Sequence, residues 1–307
     1  MTEHLESPLL GEHLRGCDAV VHVVAPTDLP VDQAEDAARR RDRLVTEVRT
    51  LMLACAAVGA SRLVVVTGAQ VYGARADNPL PLPEDAPLRA EPDAGTVGDL
   101  LAVEQAIFSA RASYPALEVT VVRPAMLVGG VDTVLTRHFE APRLLRIGGC
   151  EPAWQFCHVE DLASAVGRVL DEQLGPVVTV GAEGWLSQAE LERASGMRSV
   201  ELGTTAARAI ASRLHRIGVL KSPVGDLDYV AHPWVIGSET LRAAGWAPAY
   251  DNETCVAVLL ADVRLRRGDG VHRFDTREGA ALGAASAAVA VGATAAIMRR
   301  RRRRSGG

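Results

Sequence analysis

The sequence predicts an α/β fold: a doubly wound parallel sheet, then a small helical C-terminal part and a terminal hydrophobic helix. Three observations predict it. Short apolar, β-rich runs alternate with helical stretches, the pattern of right-handed βαβ crossovers. From about residue 183 that alternation gives way to irregular, helical sequence. Residues 279–298 then run uncharged for the length that spans a bilayer core.

"DAVVHVVAP" (18–26) is a continuous apolar run closed by Pro26 and reads as a buried parallel strand. His22 inside it reads as a hydrogen-bonded core polar group. Residues 32–59 carry helical periodicity and end on Gly59. "RLVVVTG" (62–68) is the second strand. "LPLPEDAPLRAEPDAG" (80–95) is a proline-rich loop long enough to suggest function, with Glu84 and Asp85 expected in solvent. Residues 96–114 read as a helix capped by Thr96. "EVTVVRPAMLVGG" (118–130) is a third strand running into a glycine turn. Residues 158–172 form a helix and 175–182 a fourth strand. "LSQAELERASG" (186–196) opens with Ser187 and has Glu190 three positions on, a capping box. The organisation expected is 1–182 for the sheet domain, 183–260 for a smaller substrate-side region, 261–278 for a charged linker, and 279–307 for the hydrophobic helix with its arginine tail.

Composition narrows the function. Aromatic residues make up 4%, so the core rests on Val, Leu, Ile and Ala. The net charge is −5, and without Arg299 to Arg304 the remainder carries about −11, which argues against a specific nucleic-acid partner. Lys221 is the only lysine. The five cysteines are scattered with no C-x-x-C pair, which argues against a disulfide framework and a zinc site and fits a reducing compartment. Cys157-His158 is an adjacent pair without the second cluster a metal needs, so no metal is expected. The N-terminus is acidic and lacks an apolar signal core, so a cytoplasmic location is expected.

Five stretches, in order, carry a resemblance: "GCDAVVHVVAP", "SRLVVVTGAQVYG", "VTVVRPAMLVGG", "WQFCHVEDLASAV" and "GSETLRAAGWAPAY". They resemble strands four to six, the H-V-x-D segment and the G-W-x-P tail of the extended short-chain dehydrogenase/reductases, the NAD-dependent epimerase/dehydratase type. The resemblance covers roughly residues 10–250 and implies a Rossmann-like sheet, NAD or NADP as cofactor, and an alcohol, carbonyl or sugar-nucleotide substrate. It implies cofactor contacts at the strand ends: Val24, Ala25, Pro26, Thr67, Pro124, Ala125 and Met126. The candidates for chemistry are Thr67, Tyr72 and His158.

The departures are specific. The family's glycine-rich turn, which holds the pyrophosphate on backbone N–H groups, is not found, so the expected sheet is partial, without its N-terminal βαβ nucleotide half. The family's hydroxyl position, four before the V-Y-G tyrosine, is Gly68, with Thr67 beside it. Aligning on Glu104 places Thr96 and Leu100 where the family's Tyr-x-x-x-Lys pair stands. That pair moves the proton in the family's reaction. Tyr72, His158 with Asp161, and Arg123 each also have a structural reading: a ring after the strand, a histidine hydrogen-bonded at a helix start, and the arginine of R-P. A sheet without its first three strands leaves an apolar edge, which predicts dimerisation or poor solubility.

Residues 279–298 followed by six arginines read two ways. One is a helix lying on an anionic membrane surface with its arginines on lipid headgroups. The other is an exposed Ala-rich helix with a solvated basic tail. Three functional readings follow: a family oxidoreductase or epimerase, a non-catalytic relative serving as a binding or scaffold module, and a fragment of a longer nucleotide-binding enzyme.

Overall fold

The computed structural model describes residues 5, 10–24, 36–92, 95–216 and 224–268. A short helix α1 (Leu10–His13) leads into strand β1 (Ala19–Val23), helix α2 (Ala37–Val58) and strand β2 (Arg62–Val66). Helix α3 (Thr96–Ala110), strands β3 (Glu118–Pro124) and β4 (Met126–Val128), and the short helix α4 (Val134–Arg137) follow. Next come β5 (Leu144–Gly148), β6 (Ala153–Trp154), β7 (Phe156–His158), helix α5 (Val159–Asp171) and β8 (Val177–Val180). The remainder comprises β9 (Leu186–Ser187), α6 (Gln188–Ser195), β10 (Ser199–Gly203), α7 (Thr204–Arg216), α8 (Glu239–Ala243) and α9 (Asn252–Gly268).

The main sheet has four parallel strands in the order β1-β2-β3-β8. Every residue of β2 is buried, because helices cover both of its faces. Leu63 and Val65 pack on one side with Leu51 and Cys55 of α2 and Val103 and Ile107 of α3. Val64 and Val66 face the other way, into a cluster with Ala165 and Val169 of α5. This is the doubly wound arrangement, and a side-chain period of two sorts one apolar run into two cores.

The first strand departs from expectation. β1 alternates between exposed and half-buried residues, with Val21 44% and Val23 42% exposed. Its inner residues pack on α2, and its other face is uncovered among the described residues, as is its outer edge. His22 is half-buried with no hydrogen bond among the described residues. Burial lowers its pKa, opposed by the Glu47 carboxylate. The reading of a fully buried strand is therefore corrected: an apolar run specifies a strand but does not say what covers it.

Two further boundaries shift. The run 118–130 is two strands, because the chain leaves the main sheet after Pro124. β3 pairs with β8, whereas β4 pairs in parallel with β7. Thr96 is the first helical residue of α3, and Gly95 takes the cap position without a side-chain bond. Asp99, 1% exposed in the first turn of α3, instead anchors that end by accepting from Arg40 Nε (2.5 Å) and Arg41 Nε (3.1 Å) of α2. The predicted capping box at Ser187 and Glu190 is present, with both reciprocal bonds.

The C-terminal part carries a parallel β5–β10 pair and an antiparallel β6–β9 pair beside its helices. α9 continues to Gly268, so the first residues of the stretch read as a linker are helical. Among the described residues no helix is long and apolar enough to cross a membrane. The terminal hydrophobic helix, the arginine tail and Lys221 lie outside the described residues.

Candidate functional site

In an open parallel sheet, ligands bind outside the carboxyl ends of the strands. Here that edge is built by Val24, whose N–H donates to Val66 O (2.9 Å), by Thr67, whose N–H donates to Val122 O (2.9 Å), and by Ala125, whose N–H donates to Val180 O (2.8 Å). The parallel register thus brings Val24, Thr67, Pro124, Ala125 and Met126 to one end of the sheet. All of them are buried. Ala25 and Pro26 lie outside the described residues.

A sealed polar network stands at the centre of that edge. Glu104 is 0% exposed and lies on the buried stripe of α3 with Val97, Leu100 and Ile107. Its carboxylate accepts from Thr67 Oγ1 (2.7 Å), Arg123 Nε (3.1 Å) and Arg123 Nη2 (2.6 Å). The Arg123 side chain is 4% exposed, so this is a bidentate ion pair removed from water. Arg123 Nη1 donates onward to the Tyr72 hydroxyl (2.8 Å), which donates to the carbonyl of Glu84 (2.7 Å). Burial raises the Tyr72 pKa, against the pull of the Arg123 charge. Tyr72 is 0% exposed and both functions of its hydroxyl are occupied. Thr67, Tyr72, Arg123 and Glu104 therefore form one buried hydrogen-bonded cluster. Glu104 at helical spacing on an apolar face was its sequence signal.

Of the positions the resemblance aligns with the family's catalytic residues, Thr96 is the half-buried first residue of α3, and the other two are apolar. Leu100 is 4% exposed and belongs to the core beneath the sheet. A Cβ built on Gly68 would lie 3.4 Å from Leu100 Cδ1, so the two aligned positions do face one another. What meets at that point is a glycine and a leucine, and neither can move a proton.

The motif glycines have steric reasons. Gly73 of V-Y-G has φ +77°, and a Cβ there would sit 2.8 Å from backbone atoms of Arg89 and Ala90. The proline-rich loop runs against this point, with Arg89 N–H donating to Tyr72 O and Ala90 N–H to Val71 O. Gly129 has φ +99°, and its Cβ would press within 2.9 Å of His158 Nε2 and Val159 Cγ2.

His158 is the N-cap of α5: its Nδ1 accepts from Glu160 N–H (3.2 Å) and its ring stacks on Tyr250 at 3.8 Å. None of these contacts reaches Thr67 or Tyr72. Asp161, 3% exposed, accepts from the backbone N–H groups of Ala249 (2.8 Å) and Tyr250 (3.1 Å). Trp246 Nε1 donates to Ser164 Oγ (3.0 Å). The H-V-x-D segment and the G-W-A-P tail are thus two halves of one clasp.

Glu84 is not the solvated loop residue expected. It is half-buried; Oε1 accepts from Thr179 N–H (3.0 Å) and Oγ1 (3.1 Å), and Oε2 from Thr240 Oγ1. With Leu82 exchanging backbone bonds with Val235 and Gly237, it ties the proline loop to the C-terminal part. Asp85 is exposed. A sequence offers no sign of which loop carboxylate finds a distant partner. Among the described residues no group of three His, Cys, Asp or Glu could hold a metal ion. Burial raises the Cys157 thiol well above its ordinary range and that of Cys255 to about 12.

Comparison with known proteins places this geometry. An uncharacterized protein of Mycobacterium tuberculosis is 26% identical over 196 residues, 62% of this chain and 52% of that protein. A Mycobacterium bovis protein matches equally. The chain spans about half the length of the curated relatives it matches. Among solved structures, gox2253 superposes with a TM-score of 0.63 at 18% identity, covering 86% of this chain and 84% of that one. A UDP-glucuronic acid 4-epimerase from Bacillus cereus in complex with NAD gives 0.61 at 13% identity, over 86% and 80%. A dTDP-glucose 4,6-dehydratase from Streptomyces venezuelae with NAD bound gives 0.62 at 18%, over 87% and 79%. At these identities the neighbours speak to the fold alone. The model of the NAD-dependent epimerase/dehydratase family matches residues 6–181, more than half of the chain, and the chain belongs to that family.

Proposed function

We propose that this chain is a ligand-binding member of its family that does not carry out the family's proton and hydride transfer by the usual residues. Its ligand class is the family's own: NAD or NADP, or a nucleotide-linked sugar, held at the carboxyl edge of the sheet. The observation that carries the reading is Leu100, a buried leucine facing Gly68 at the aligned lysine position. A leucine there supplies no cation to lower the pKa of a neighbouring acid. The tyrosine that is close at hand, Tyr72, is held by Arg123 and Glu84. The strand-end geometry supports retained binding, and the bound NAD in the Bacillus cereus and Streptomyces venezuelae structures supports the choice of ligand.

The test uses the full chain with NAD(H), NADP(H) and UDP-glucuronic acid. Thermal stabilisation by at least one of them, together with UDP-glucuronic acid recovered unchanged by chromatography and nicotinamide absorbance unchanged on prolonged incubation, is the expected result. Turnover above the protein-free blank would overturn the non-catalytic half of the reading. No stabilisation by any ligand at millimolar concentration would overturn the binding half.

A further inference from the structure

The strand end after β2 holds one polar group that neither the sealed network nor the clasp uses. Gln70 lies in the 3₁₀ turn Ala69–Tyr72. Its backbone carbonyl is fixed from two sides, accepting from Gly73 N–H (2.9 Å) and from the Tyr229 hydroxyl (2.7 Å). Its neighbours Ala69, Val71 and Tyr72 are all 0% exposed. The side chain therefore springs from a rigid base, and it turns back onto Gly68. A Cβ on Gly68 would overlap Gln70 Oε1 and lie 3.3 Å from Gln70 Cδ, with Leu100 Cδ1 next at 3.4 Å. The carboxamide thus fills the volume that a side chain at position 68 would take.

Gln70 Oε1 is also buried without a hydrogen-bond partner among the described residues. The nearby hydroxyls do not serve it: that of Thr67 donates to Glu104 and that of Tyr72 to Glu84. A buried amide oxygen left unpaired is unfavourable, and a native site that keeps one calls for a reason.

We infer that the Gln70 carboxamide is the group through which this site grips its ligand, standing where position 68 lacks a hydroxyl, and that it recognises a vicinal diol of a sugar. A neutral carboxamide offers an acceptor and a donor side by side. Oε1 accepts from one hydroxyl of the diol while Nε2 donates to the oxygen of the next. It does not ionise near neutral pH, and like the hydroxyl it stands in for it orients a substrate oxygen by hydrogen bonding. The inference rests on the ligand-binding reading above.

Two variants of the full chain test it. Gln70→Leu keeps the length and removes both polar atoms. Gln70→Asn keeps the amide but withdraws it from Gly68 by one methylene. The probe is UDP-glucuronic acid, read by calorimetric titration, with melting of the free protein followed by circular dichroism. The expected result is that Gln70→Leu melts higher than the wild type when free, because an unpaired buried acceptor is gone. Both variants should bind the probe at least tenfold more weakly. Unchanged affinity in either variant, or a lower melting point of free Gln70→Leu, would overturn the inference while leaving the binding reading intact. Failure of the wild type to bind the probe would overturn both.

Discussion

Replacing Glu104 with alanine tests the buried network most directly. The carboxylate is 0% exposed and takes three hydrogen bonds, two from a guanidinium whose side chain is 4% exposed. Truncation leaves the Arg123 charge in the interior without its partner, strands the Thr67 hydroxyl, and opens a cavity beside α3. Breaking one partner out of a buried pair costs about 3–5 kcal/mol. For a chain of this size that lowers the melting midpoint by about 6–10 °C, at roughly 2 °C per kcal/mol. The double variant Glu104→Leu/Arg123→Met removes both charges and should recover most of the loss, since a well-packed apolar replacement is often neutral. Urea unfolding of wild type, Glu104→Leu, Arg123→Met and the double variant closes a thermodynamic cycle, with an expected coupling of about 2 kcal/mol or more. A loss below about 1 kcal/mol for Glu104→Ala, or strict additivity in the double variant, would refute the view that this ion pair is dry and mutually dependent.

The other predictions address single contacts. Tyr72→Phe removes a hydroxyl that joins Arg123 to the Glu84 carbonyl and should cost about 1–3 kcal/mol in urea unfolding. Gly129→Ala places a methyl against His158 and Val159 in a left-handed conformation, and a melting curve should show a loss of about 2 kcal/mol or more. His138 is 1% exposed, stacks on Trp154, has no partner on either ring nitrogen among the described residues, and is held down to a pKa of about 4 by burial. The unfolded chain binds that proton near pH 6.5 and the folded chain does not, so stability falls as the pH drops from about 6.5 to 4, by about 3 kcal/mol in all. His138→Phe keeps the stack and should flatten this limb of the pH–stability curve; an unchanged limb would assign the acid sensitivity to other groups. Deleting residues 279–304 should abolish co-sedimentation with anionic vesicles if the helix lies on the membrane, and equal sedimentation of both forms would leave the solvated-tail reading.

The sequence by itself determined the four strands and covering helices of the main sheet, its parallel character, the Ser187 capping box and the family. Each follows from local periodicity or from motifs whose residues are neighbours in the chain. The tertiary structure alone decided what the polar residues do. Glu104 lies 19 positions from Arg123, and Arg123 lies 51 from Tyr72; only packing of α3 on β2 and β3 makes them one dry network. Glu84 looked solvated because its partners, Thr179 and Thr240, lie far along the chain. β1 looked buried because apolar content sets what a strand can bury, whereas coverage depends on which elements come to lie against it. Burial and partnership are long-range properties, and pairwise contacts across the fold, which no local pattern encodes, are what bury the Thr67 and Tyr72 hydroxyls in one network and seat His158 as a helix cap.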